Sequence, residues 1–310
     1  MNKFFLNLGN QPLANNYLNS LKKRHIKYTL KLFFNTDNKI VSISKRIPSE
    51  KMFTNNYPYR SSMSKTMRYS FYELSKEIKK RFNPDKLLEI GSNDGALIKN
   101  FRKNKVIGVE PCNNLANITS KKGFLTYNEY WNYKLAKKLK IKHGNIDLIY
   151  SANTLTHISN LDDVFRSISY LLKDKGVLII EDPSLLECIK KNSYDQFYNE
   201  HIYLFSAISV KNIINKYDLE IFDIKNLLTH GGSLRYYIKK KINKSLKISI
   251  RVKKQIDKEK KYEIHKFKTY KNFSKKVKKS KENLLKILNN IKKNDEKIIG
   301  YGATAKAVTV

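Results

Sequence analysis

"LLEIGSNDG", residues 87–95, decides how the rest of the chain is read. A strand-like run meets a glycine-rich turn and then a helix-like start. Gly91 lets the chain turn tightly, and Gly95 lets the next segment approach the strand, so a ligand can sit close to backbone at the strand ends. "KVIGVEP" (105–111) follows as a second strand and ends in Glu110. An acid at that spacing can accept hydrogen bonds from both hydroxyls of a ribose.

A dinucleotide loop would set a pyrophosphate on the helix N-terminus. Here Gly91-Ser92-Asn93-Asp94-Gly95 puts an acid where that pyrophosphate would lie, and like charges repel. The turn suits a cationic ligand that carries a ribose and no phosphate. S-adenosylmethionine has a sulfonium, an amino group and a ribose, and is favoured over NAD.

Outward from this turn the pattern alternates. Strands are expected at 86–91, 105–111, 146–158 (running into a loop) and 177–183, with helices at 95–104, 113–123 and 161–176. That alternation implies an α/β fold with a parallel sheet covered on both faces. A hairpin is expected within 28–45 around Asn35–Asn38, a helix over 66–82, and a helix over 206–219. Antiparallel strands are expected at 220–227 and 233–241, and a long Lys-rich helical stretch over 250–296. "KIIGYG" then "ATAKAVTV" reads as the opening strand, turn and helix of a second βα unit. The divisions are 1–64, 65–248 and 249–310.

The 310 residues carry 62 Lys+Arg against 27 Asp+Glu, a net charge of +35. Only nine of the bases are Arg, the residue preferred for forked phosphate and base contacts. Much of the excess falls within 239–297. It reads as a solvated basic helix rather than a nucleic-acid face. No apolar stretch reaches about 18 residues, so no membrane span is expected. Gly9, Gln11 and Pro12 break the N-terminus early, against a signal peptide. Cys112 and Cys188 stand far apart, which fits a reducing cytoplasm and no disulfide framework.

Eight stretches, in order, resemble the sugar C-methyltransferases that act on nucleotide-linked 4-keto deoxysugars. They are "LGNQPLANNYL" (8–18), "YPYRSSMS" (57–64), "LEIGSNDG" (88–95), "GVEP" (108–111), "ANTLTHI" (152–158), "YNEHIYLFS" (198–206), "HGGSLRYYI" (230–238) and "GYGATAK" (300–306). The resemblance implies a class I S-adenosylmethionine-dependent, Rossmann-like domain. A small zinc-binding domain would precede it, and a helical connector and a second Rossmann-like domain would follow. Phe33, Asn35 and Asp37 stand in the hairpin where that family has thiolates, so no zinc is expected. The last domain is begun and not completed: either the chain is truncated, or another chain completes the fold.

The donor-binding set is then Gly91, Asn93, Asp94, Gly95, Glu110, Pro111 and Asn153. Carbon methylation needs a base to remove a proton next to a ketone and a donor to the enolate oxygen. The resemblance implies His201 as base with Glu200 as its carboxylate partner, His157 at the enolate oxygen and Tyr59 at the ketone. Tyr57 is Tyr59's rival. Tyr57, His230 and Arg235 would contact the nucleoside-diphosphate sugar, Arg235 through phosphate; a surface salt bridge for Arg235 and a turn-anchoring role for His230 stay open. Two adjacent residues of a strand point to opposite faces, so 200–201 must be a loop or bend if both face one site. Two other readings stay open: an RNA methyltransferase using the basic surface, and a truncated, non-catalytic relative.

Overall fold

The computed structural model describes residues 1–18, 20, 22, 24–44, 47–300 and 304–309. The chain opens with β1 (Asn2–Pro12) antiparallel to β2 (Lys27–Asn35), and β3 (Val41–Ile43) adds to the other edge of β2. Leu30, Leu32 and Phe34 alternate along β2 and are buried, as a strand with one covered face requires. At the turn, the Asn35 side chain accepts from the backbone N–H of Asp37 and Asn38. Asp37 pairs with the N-terminal amine, and Phe33 meets Phe4 edge-on. The three positions where thiolates were looked for thus have turn-capping, ion-pairing and packing partners.

The remaining elements, in chain order, are α1 (Ser49–Met52), α2 (Lys65–Arg81), β4 (Leu87–Ile90), β5 (Val106–Val109), α3 (Asn113–Lys121), β6 (Leu125–Tyr127), α4 (Tyr133–His143), β7 (Ile146–Ala152), α5 (Leu161–Leu171), β8 (Leu172–Pro183), α6 (Leu185–Lys191), β9 (Tyr203–Leu204), α7 (Ala207–Ile214), β10 (Leu219–Leu227), β11 (Ser233–Lys240), α8 (Ile250–Lys261) and α9 (Phe267–Lys293). Seven strands form the central sheet in the order β10-β11-β8-β7-β4-β5-β6. β4 to β8 run parallel, while β11 is antiparallel to both β8 and β10. This is the α/β, Rossmann-like arrangement that the alternation of strands and helices predicted. The order reverses at β4, so the crevice opens beyond the carboxyl ends of β4, β5 and β7.

β9 joins the first sheet rather than the central one. It pairs with β3, and the Ile43 N–H donates to the Ile202 carbonyl at 3.0 Å. The N-terminal unit is therefore bonded to the segment that carries Glu200 and His201. Its outer face packs on α9, where Tyr270 stacks on Phe34 with ring centres 4.5 Å apart and meets Phe5 at 5.2 Å. Tyr270 is fully buried and donates to the Ile264 carbonyl.

Four expectations differ. Residues 95–104 form only short 3-10 turns at Ile98–Asn100 and Lys103–Lys105. There the Asn100 side chain donates to the carbonyls of Ala96 and Leu97, competing with helical bonds. The helix of 161–176 stops at Leu171, and β8 starts at once, bulging between Leu172 and Val177. β1, α1, β6, α4, α6 and β9 lie in stretches where the sequence reading placed no element. Residues 297–300 form no strand, and the rest of the "GYG" turn lies outside the described residues.

Tyr270→Ala is expected to lower unfolding free energy by about 3–5 kcal/mol, the loss typical of a buried aromatic truncation, read from urea midpoints at constant slope. A loss under about 1 kcal/mol would mean that the N-terminal sheet does not depend on α9.

Candidate active site

A cavity of about 1000 Å³ opens at the carboxyl ends of the parallel strands. Its floor is the turn after β4. Gly91 has φ +74°, a left-handed conformation that favours glycine, and a Cβ there would fall 2.2 Å from the Thr154 hydroxyl. The loop after β7 therefore crosses directly over this turn. Glu110, at the end of β5, is buried and takes two backbone donors: Asn93 N–H at 2.8 Å and Cys112 N–H at 2.9 Å, one on each oxygen. Each carboxylate oxygen keeps a further lone pair. Burial raises its pKa, and the two N–H groups pull against that.

Asn93 and Asp94 do something the sequence reading missed. The Asn93 carbonyl oxygen accepts from Ser61 N–H, and its amide donates to the Tyr59 carbonyl. Asp94 accepts from both the backbone and the hydroxyl of Ser62. The pair clamps the "YPYRSS" loop over the cleft. Asp94 and Gly95 do not line the cavity, so the cation-facing role read for Asp94 is corrected. Gly95 packs on α3, where a Cβ would meet Thr119 at 2.8 Å. An acid beside this turn that does face the cavity, together with Glu110, is Glu89, buried on β4, with one oxygen lacking a partner among the described residues. Burial, with Glu110 nearby, holds its carboxyl well above the usual range. Its signal was an acid inside an otherwise apolar strand.

These groups fit the expected donor. Glu110 offers acceptors for a ribose, and Glu89 an unpartnered acid for an ammonium. Trp131 lines the same cavity with a buried indole N–H that has no partner among the described residues. Gly91, Asn93, Pro111 and Asn153 also line it.

The other wall carries imidazoles. Residues 198–200 form a turn, closed by His201 N–H on the Tyr198 carbonyl at 2.9 Å. Buried His201 has Nδ1 2.9 Å from the Gln196 carbonyl and Nε2 2.7 Å from the Tyr198 hydroxyl. A carbonyl only accepts, so Nδ1 carries the proton and Nε2 accepts from Tyr198. Burial first, then nearby His157, holds the His201 pKa well below normal. His157 lies between Phe53 and His201, with ring centres 5.4 and 5.1 Å away. Its Nε2 is buried without a partner among the described residues, and burial lowers its pKa to about 4. His230, at φ +54°, has Nε2 3.3 Å from the Asn153 amide, and burial again lowers its pKa to about 4.

Glu200 is not the partner of His201. Its two oxygens accept from the Tyr57 hydroxyl at 2.9 Å and the Asn15 amide at 3.0 Å. The tight turn sends the neighbouring side chains different ways. Burial raises the Glu200 pKa to about 7. Tyr57 is buried and committed to this bond, while Tyr59 is 44% exposed in the cavity wall. Arg235 is also corrected. It lies on interior strand β11, 3% exposed, with its guanidinium 2.9 Å from Glu181 and 3.5 Å from Glu77. It does not line the cavity. Tyr198 and Lys306, which do line it, were not singled out. Among the described residues no cluster of three His, Cys, Asp or Glu is placed to hold a metal ion.

A carboxyl whose folded pKa is raised costs stability once pH passes its unfolded value, and the cost is complete above the folded value. For Glu200 that window runs from its ordinary 4.5 to about 7. Wild type is expected to lose about 3 kcal/mol more than Glu200→Gln across it. Urea unfolding of both proteins at pH 4.5 to 8 checks this; parallel curves would contradict it.

Residues 59–224 match the family described as "Methyltransferase domain", and residues 228–310 match the "C-methyltransferase C-terminal domain". The C-methyltransferase NovU of Streptomyces niveus is 31% identical over 152 residues, covering 48% of this chain and 36% of that relative. The chain thus aligns with about a third of the relative's length. Among solved structures, a methyltransferase from Clostridium acetobutylicum aligns at 14% identity and TM-score 0.42, covering 58% of this chain and 93% of that one. One from Anabaena variabilis aligns at 17% and 0.45, covering 57% and 86%. With the methyltransferase-domain match spanning more than half its length, the chain belongs to the methyltransferase-domain family.

Proposed function

We propose that the protein methylates carbon next to the ketone of a nucleoside-diphosphate 4-keto-deoxysugar. One observation carries this reading: His201, with an unprotonated Nε2, lines the same cavity as the donor-binding turn. A sugar carbon becomes a nucleophile only after a base removes a proton made acidic by the neighbouring ketone. A histidine held neutral by burial is ready to act as that base at neutral pH.

The bound donor supplies an electrophilic methyl on a sulfonium. Glu110 would hold its ribose and Glu89 its ammonium, with Gly91, Asn93, Pro111 and Asn153 around it. His201 Nε2 would take the carbon-bound proton, directly or across the Tyr198 hydroxyl that now occupies its lone pair. His157, whose Nε2 is otherwise unpartnered, and Tyr59 would donate to the enolate oxygen, where positioned donors count most. Glu200 would act one step removed, by fixing Tyr57 and through it the loop that bears Tyr59. The clamp from Asn93 and Asp94 to that same loop couples the donor turn to the substrate wall. NovU's printed name, a C-methyltransferase, supports the carbon-directed reaction, and the eight motif stretches support the sugar.

The test is mass spectrometry of a nucleotide 4-keto-6-deoxysugar incubated with protein and S-adenosylmethionine in heavy water. Wild type should add one methyl group. His201→Asn should lower the rate by roughly 10²–10⁴-fold, the usual worth of a positioned base. Full turnover by that variant would remove His201 from the role. An RNA substrate preferred over the sugar nucleotide would sink the reading altogether.

A further inference from the structure

Two cations in the cavity wall, Arg60 and Lys306, are not used by the proposed chemistry; Arg60 is exposed, and Lys306 is the half-buried one. Ala305–Thr309 forms a short 3-10 turn that lies against Tyr194–Gln196 and β1. It is pinned by the Thr309 hydroxyl, which donates to the Phe197 carbonyl at 2.7 Å. Phe197 begins the same segment that carries Tyr198 and His201. The pinning places Lys306 in the cavity wall, half-buried, on the side of His201 and His230. Among the described residues no carboxylate lies within ion-pair distance of its ammonium. Asp195 and the buried Cys188 thiol are its nearest acidic groups, and burial lowers its pKa.

A cation drawn out of water without a counterion is costly, and an anion that arrives with a ligand offsets the cost. Asp195 stays beyond ion-pair distance of it, and His201 and His230, held neutral, do not compete for an incoming anion. Arg235, which the sequence offered for phosphate, is locked in its pair with Glu181. We propose that Lys306 is the anion-binding residue of the substrate site and takes an anionic oxygen of the nucleotide-linked sugar. This rests on the substrate reading above and adds the residue that carries it. Two oxygens share that chemistry: a diphosphate oxygen, charged before reaction, and the enolate oxygen, charged only during it.

The experiment uses the whole chain at 0.15 M salt, where distant surface charges are screened. Uridine and thymidine diphosphate are titrated calorimetrically into wild type, Lys306→Met, Lys306→Arg and Lys292→Met, the last removing an exposed α9 lysine as a charge control. Deuterium uptake by the keto sugar is measured in parallel. If Lys306 holds phosphate, Lys306→Met weakens nucleoside diphosphate binding roughly 10–100-fold, the worth of one charge-assisted bond. Lys306→Arg keeps most of the affinity, and Lys292→Met binds like wild type. If it holds the enolate oxygen, diphosphate affinity stays constant while deuterium uptake falls by a similar factor. Unchanged binding and exchange in Lys306→Met overturn the proposal, as does an equal loss in Lys292→Met. If wild type shows no exchange while Lys306→Met loses diphosphate affinity, the keto-sugar reading fails and the anion site stands. If wild type exchanges and Lys306→Met matches it in both assays, only the anion site fails.

Discussion

The site depends on the Glu110 carboxylate and the two backbone N–H groups that it accepts. Asn93 N–H comes from the turn after β4 and Cys112 N–H from the turn after β5. One buried acid therefore fixes the distance between two strand ends and forms the floor of the cleft. The strand ends are already bonded, Gly91 and Ser92 N–H donating to the Val109 carbonyl, and the carboxylate ties together the turns beyond them. A carboxylate suits the place because it accepts from both sides and keeps lone pairs for a ligand.

From that floor, order spreads by hydrogen bonds rather than by packing alone. Asn93 and Asp94 hold residues 59–62, which brings Tyr57 and Tyr59 over the cleft. Tyr57 then meets Glu200, and Asn15 of the N-terminal unit completes the triangle, donating to both. The N-terminal sheet takes β9 as its fourth strand, so the His201 segment is held from both ends. Three parts of the chain far apart in sequence thus meet around one imidazole. The turn that carries Lys306 docks on the same segment.

The fold was legible because its signals are local. Gly91 and Glu110 mark strand ends, and apolar runs such as "VLII" (177–180) mark buried parallel strands. Some missed elements are short: β6 has three residues, and β9 has two and looks like part of an aromatic loop; β1 and α4, eleven residues each, escaped as well. For the candidate site, the sequence pointed to side chains that the fold brings together, and less well to their bonding. His201, His157, Tyr59 and His230 do share the cavity with the donor turn. Adjacency in sequence suggested that Glu200 serves His201, yet a tight turn separates them and gives Glu200 to Tyr57. Arg235 looked available because β11 could have been an edge strand. β10 covers it, and Glu181 sits opposite in the register. Glu89 was overlooked because an acid in a short strand shows its burial only once the sheet is assembled.

Calorimetric titration of S-adenosylhomocysteine into wild type and Glu110→Ala tests the central claim most directly. Circular dichroism would be recorded on both to confirm folding. The cleft described here requires micromolar or tighter binding by wild type and a loss of roughly 10–100-fold in the folded variant, as expected when a ribose loses a charged acceptor. Equal affinity in the two proteins, or none in wild type, would contradict the placement of the donor on the β4 and β5 turns.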